Sequence, residues 1–229
     1  MVTFYTALGR YELRNTQEGS HPVVILNHRE HCLSIQEMII WSSLIWSVYN
    51  YDELANIFHQ KEREAHVLGD AEFDDYIARL ERRGLISSGK GYTAIEALYA
   101  LVSKLYIVPL SESLWTKVGA FFHLTFRRHI PFSVTKKIFA DPQLCPEEKS
   151  LLLLTRQAAL TTEDLIRCVD SKSTDISNES KLMAALYPDG IPAASSRNEF
   201  TGMTSPNRIS VTQKIVNLYL RKQILFETI

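Results

Sequence analysis

One stretch constrains this chain more than any other: Phe73, Ile77 and Leu80 recur at helical spacing and run directly into Arg82-Arg83-Gly84-Leu85-Ile86. The apolar residues make one buried helix face, Gly84 supplies the left-handed residue that ends a helix, and Leu85-Ile86 is extended in character. A helix that stops this abruptly and feeds a strand needs a sheet to receive it. Ser87-Ser88-Gly89-Lys90-Gly91 reads as the reversal of a hairpin, and Tyr92-Thr93 as its returning strand.

The preceding residues supply the rest of a small unit. Helices are expected over 38–49, 52–60 and 70–83. Ser34 with Glu37, and Asn50 with Glu53, have the spacing of capping boxes. Ile39, Ile40, Leu44, Ile45 and Val48 give the first helix a broad apolar face, and Leu54, Ile57 and Phe58 form the stripe of the second. Ahead of them, Val23-Val24-Ile25-Leu26 is β-branched and apolar, His28-Arg29-Glu30 reads as a reversal, and Cys32-Leu33-Ser34-Ile35 resumes an extended pattern. A hairpin is therefore expected before the first helix. The mixed pattern of 4–13 fits either a strand or a helix.

Three helices closed by a hairpin make a winged helix. The series Val24-Ile25-Leu26-Asn27, Leu33-Ser34-Ile35, Ile40-Trp41, Tyr51-Asp52-Glu53-Leu54-Ala55 and Tyr76-Ile77-Ala78-Arg79-Leu80 into Gly84-Leu85-Ile86 resembles the PqqD-like peptide-recognition fold over about 23–93. That resemblance implies a small winged helix that holds the leader peptide of a modified natural product as an added strand. Val23, Ile25, Leu33 and Ile35 on the hairpin edge are then the candidate peptide contacts.

Beyond this unit, helices are expected over 94–104, from Ser111 or Ser113 to Phe122, and over 144–160. Thr161 with Asp164 caps another, Ser177 starts one through Leu182 and Leu186, and the Pro-, Ala- and Ser-rich 191–206 reads as a loop. Val211, Ile215, Leu218 and Tyr219 give a last helix, and Arg221-Lys222-Gln223-Ile224-Leu225-Phe226 repeats the helix-to-strand cadence of 82–86. The expected fold is mainly α with small β hairpins (α+β). Two winged-helix-like modules, 1–105 and 161–229, would be joined by a helical linker over 106–160.

Charge separates the two ends. Residues 52–83 carry nine acids against five bases, a balance of −4, which opposes phosphate contact; 197–222 carry five bases against Glu199, a balance of +4. DNA contact is accordingly expected from the last helix, through Arg208, Gln213, Lys214, Asn217, Arg221 and Lys222. Arg127, Arg128, Lys136 and Lys137, interleaved with aromatic residues and free of acids, could extend that surface. The whole chain has a formal charge of −1, so any such attraction is local.

Catalytic signals are weak. No nucleophile-elbow, zinc-protease or dinucleotide motif occurs, and His28, Glu30, His31 and Cys32 would alternate between faces of a hairpin. No metal or cofactor is expected. Three cysteines without CxxC spacing fit reduced thiols in a cytoplasm, and the apolar run 38–49 is too short to span a bilayer. The expectation is a non-enzymatic winged-helix regulator that binds DNA through its C-terminal half. Its N-terminal module would then serve for a homodimer or another partner. The alternative is an adaptor that binds a peptide or protein at that module.

Overall fold

The computed structural model describes residues 1–16, 19–67, 69, 71–110, 144–187 and 205–228. It is a mixed α and β structure with eight helices and three antiparallel three-stranded sheets among the described residues. In chain order the elements are β1 (Val2–Ala7), β2 (Arg10–Thr16), β3 (Gly19–Leu26), β4 (Arg29–His31), α1 (Ile35–Leu44), β5 (Tyr49–Asn50), α2 (Tyr51–Glu64), α3 (Phe73–Arg82), β6 (Ile86–Gly91) and α4 (Ala94–Val102). They continue as β7 (Tyr106–Pro109), α5 (Pro146–Gln157), β8 (Leu160–Thr161), α6 (Thr162–Asp170), α7 (Glu179–Leu186), α8 (Arg208–Leu220) and β9 (Ile224–Glu227). None of these helices is long and apolar enough to cross a membrane.

Local chemistry sets most helix starts. Ser34, Asn50, Thr93 and Thr161 each accept the N3 backbone N–H, and the acidic N3 side chain returns the bond to the cap N–H. Cys145 caps α5 in the same way with Glu148. The hairpin expected before α1 forms, but its reversal lies at Asn27-His28, both at positive φ, rather than at 28–30. The ambiguous 4–13 resolves into two strands that break at Leu8-Gly9.

The wing expected at 87–93 does not form. Ser87 to Gly91 lie inside β6, and Thr93 caps α4 instead of returning as a strand. The glycines serve close approach, not reversal: a Cβ on Gly89 would lie 2.2 Å from Leu101 N and 2.4 Å from Ala97 O of α4. The strand that pairs with β6 is β1, in register from Val2 opposite Gly91 to Ala7 opposite Ile86.

With β2, β3, β4 and α7 set aside, one order of elements occurs twice. The first is β1, α1, β5, α2, α3, β6 with sheet order β5-β1-β6; the second is β7, α5, β8, α6, α8, β9 with sheet order β8-β7-β9. Residues 106–109 and 144–160, read from the sequence as linker, supply the central strand and first helix of the second unit. Matching details recur. Leu8 N–H donates to Leu85 O and Leu110 N–H to Gln223 O, both at 2.9 Å. Arg83 and Arg221 are the C-caps of α3 and α8, and each is followed by a left-handed residue, Gly84 (φ +68°) and Lys222 (φ +59°). Each arginine also reaches the buried N3 glutamate of its unit's first helix, Arg83 to Glu37 at 3.1 Å and Arg221 to Glu148 at 3.2 Å.

A single apolar core runs through both units, from Trp41, Leu54, Tyr76 and Leu80 to Leu165, Ile215 and Phe226. Burying each such side chain contributes about 1.5–3 kcal/mol. α4 bridges the units, with the Arg208 guanidinium stacked 3.9 Å above the Tyr99 ring. Tyr219 of α8 enters the first unit, where its ring is buried and its hydroxyl meets Thr6 and the backbone of Trp46.

Candidate functional site

α1 has two apolar faces. Ile40, Trp41 and Leu44 pack into the core, with Trp41 Nε1 donating to Leu8 O. The opposite stripe, Ile35, Met38, Ile39 and Ser42, has the same helical spacing; Ile35 and Ser42 are exposed, and Met38 and Ile39 are half-buried with one side against the core. A helix that is apolar all round needs a second cover. Here the cover is partial: the 32–34 connector and the Pro22 end of β3 stand beside this stripe and leave an open groove of about 380 Å3. Ile35 remains 59% exposed.

The groove wall is tied to α3. Arg83 Nη2 donates to the Cys32 carbonyl at 2.7 Å while Nη1 holds Glu37 at the N-terminus of α1. Glu37 is buried and also accepts the Ser34 N–H, so one carboxylate fixes both the start of α1 and the arginine that anchors the connector. Desolvation lowers the His31 pKa below its ordinary 6.5, and the nearby Arg83 and Arg29 lower it further.

Of the four residues expected on the hairpin edge, Leu33 and Ile35 line the groove. Val23 and Ile25 do not. They are 1% and 8% exposed and point to the other face of the sheet, opposite Glu12 and Arg10. Strand alternation sends Val24 and Leu26 to the main core and their neighbours the other way. β3 is moreover the central strand of β2-β3-β4, so its edges are already paired with β2 over 19–25 and with β4 over 24–26. Met38 and Pro22 were missed in the sequence, and Ile39 was read there as part of the broad apolar face of the helix; the signal for Met38 and Ile39 was the surplus of apolar positions around α1, and Pro22 gave none.

Among the described residues, the four cations expected to meet DNA each have a partner within the chain. Lys214 Nζ lies 2.7 Å from Glu147, Arg221 pairs with Glu148, Arg208 stacks on Tyr99, and Lys222 Nζ lies 5.1 Å from the Trp46 ring centroid. Two of the five bases counted along 197–222, Lys214 and Arg221, meet acids of α5, which are remote in sequence. Gln213 and Asn217 are exposed on α8. Arg127, Arg128, Lys136 and Lys137 lie outside the described residues.

Among the described residues, no group of three or more His, Cys, Asp or Glu side chains is placed to hold a metal ion. The arrangement at 28–32 serves other ends: Glu30 pairs with Arg14, and the Cys32 carbonyl is bound by Arg83. Comparison with protein-family models, with curated proteins and with solved structures found no match for this chain.

Proposed function

We propose that this protein is a non-enzymatic adaptor built from two winged-helix-like units, and that it binds an apolar segment of a peptide or protein partner in the groove beside α1. The observation that carries the reading is the outward stripe of α1 facing the 32–34 connector, an apolar concavity whose wall is braced by Arg83. Support for the winged-helix reading comes from the helix-to-strand cadences at 82–86 and 221–225 and from the three-stranded sheet that closes each unit. In this arrangement the strand after the last helix pairs with one that precedes the first helix, in place of a hairpin partner.

The binding mode differs from simple strand addition at β3. Pro22 lacks an N–H, and the edge past β4 therefore has few donors for an incoming backbone. Side-chain burial against Leu33, Ile35, Met38 and Ile39 supplies the attraction instead. The test is an NMR titration with leader peptides of modified natural products, run on the protein and on Ile35→Glu. Shifts that cluster at 32–42 and vanish in the variant are expected; no perturbation there overturns the reading.

A second reading, a transcription regulator that contacts DNA through α8, draws on the exposed Gln213 and Asn217 amides in the helix that precedes β9. It is the weaker of the two, because a phosphate would have to compete with Glu147 and Glu148 for Lys214 and Arg221. Binding to duplex DNA that falls steeply with salt would favour it over the adaptor.

A further inference from the structure

We infer that the outer edge of β2 is a self-association surface, where β2 of a second copy of this chain pairs antiparallel about a two-fold axis through Leu13. The proposal rests on the backbone edge of β2 and not on the groove, although Pro22 of the groove lies opposite Leu13. β2 has one strand neighbour, β3, and its other edge has no strand partner among the described residues.

Two strand pairings fix which backbone groups face that edge. Thr16 and Gly19 pair with only two residues between them in sequence, so this pair exchanges hydrogen bonds, and alternation assigns the same to Arg14, Glu12 and Arg10. The Asn27-His28 turn makes Leu26 and Arg29 an exchanging pair, which sends the even-numbered residues of β3 to β4 and the odd-numbered ones to β2. The two agree. The N–H and C=O groups of Tyr11, Leu13 and Asn15 therefore point outward, away from β3.

The side chains divide by face. Tyr11 and Leu13 are 49% and 58% exposed on one side. Arg10, Glu12 and Arg14 lie on the other, with Arg10 3.2 Å and Arg14 3.4 Å from Glu12. β2 contains no proline and no lysine to blunt the edge.

An antiparallel second copy must set outward-facing residues opposite one another, which leaves few registers. Tyr11 opposite Leu13 of the partner subunit would face Glu12 with its own copy and Arg10 with Arg14. Leu13 opposite Asn15 of the partner subunit would face Arg14 with its own copy. Tyr11 opposite itself pairs only three residues of the strand. Leu13 opposite itself pairs all seven residues of β2 and sets Glu12 against Arg14 of the partner subunit twice. Unlike charges directly opposite are favourable and like charges are not; Tyr11 opposite itself and Asn15 opposite itself also avoid like pairs but join only three residues each, so the Leu13 register is the one that combines charge complementarity with full pairing. The result is a continuous six-stranded sheet with Leu13 at its centre and the apolar Tyr11 and Leu13 side chains on one face.

Sedimentation equilibrium of the full chain, with circular dichroism to check folding, tests this. The protein is expected to dimerise reversibly. Glu12→Arg and Arg14→Glu each place like charges opposite one another and should weaken the dimer roughly tenfold or more. The double variant Glu12→Arg/Arg14→Glu restores the unlike pairs and should recover it, an outcome that a general loss of fold would not give. A protein that stays monomeric at high concentration, or single variants that dimerise as well as the parent, overturns the proposal. Ile35→Glu should leave the dimer unchanged.

Discussion

The backbone N–H of Trp46 donates to the Tyr219 hydroxyl at 2.9 Å, joining residues 173 positions apart. Trp46 has φ +55°, a left-handed conformation that a bulky residue adopts only when its surroundings enforce it. The same hydroxyl lies 3.0 Å from Thr6 Oγ1 and within 3.2–3.3 Å of the Leu44 and Ala7 carbonyls. Tyr219→Phe keeps the ring and removes the acceptor of the Trp46 N–H, while Thr6 Oγ1 keeps its bond to the Ser47 carbonyl. A loss of about 2 kcal/mol is expected from urea denaturation, with the fold retained.

Burial pushes the Tyr219 pKa up to about 12 from its ordinary 10.0, although the bonds from Thr6 and the Trp46 N–H act the other way. The folded state holds this proton more tightly than the unfolded state. Its contribution is therefore full below pH 10 and is lost as pH rises from 10 to about 12. Cys168, raised by burial to about 11, acts likewise from pH 9 upward. Denaturation midpoints measured from pH 9 to 12 should fall for both proteins, and less steeply above pH 10 for Tyr219→Phe.

Glu37 is 6% exposed and binds both Arg83 and the Ser34 N–H. Arg83→Ala should destabilise by about 1–2 kcal/mol, discounted for the one-third exposure of the arginine, because a buried carboxylate loses its charged partner. It should also free the Cys32 carbonyl and loosen the groove wall. Faster amide exchange at 32–35 than at 50–54 is the readout.

Gly89→Ala would force α4 off β6, since the new methyl meets Leu101 N and Ala97 O at far below contact distance. A loss of about 1–3 kcal/mol is expected by thermal or chemical denaturation. A turn glycine at positive φ would be sensitive for a different reason, and alanine at the neighbouring exposed Lys90 should cost little by comparison.

His31 should titrate below 6.5 in a proton NMR experiment. Its neutral form is favoured in the fold, so the associated stability is present above 6.5 and declines as pH falls below that value. Arg29→Ala removes one of the two cations that act with desolvation, and the midpoint should move upward.

The sequence by itself determined what depends on residues within about four positions of one another. The caps at Ser34, Asn50 and Thr161 formed with the partners their spacing indicates, because a capping box closes within one helical turn. The helix-to-strand cadence at 82–86 and its repeat at 221–226 were legible for the same reason. Tertiary structure decided the rest. α1 stops at Leu44 rather than continuing to 49 because Tyr219 holds Trp46 in a conformation that no local glycine announces. The glycines of 87–91 read as a turn, but a helix backbone lies against them and β1 arrives from the chain's start to pair with their strand. Charge counted along 197–222 left out Glu147 and Glu148, which lie far away in sequence and pair with Lys214 and Arg221 in space. Strand order, the covering of a second helix face and the pairing of charges are relations between distant segments, and a linear pattern carries no information on which segments meet.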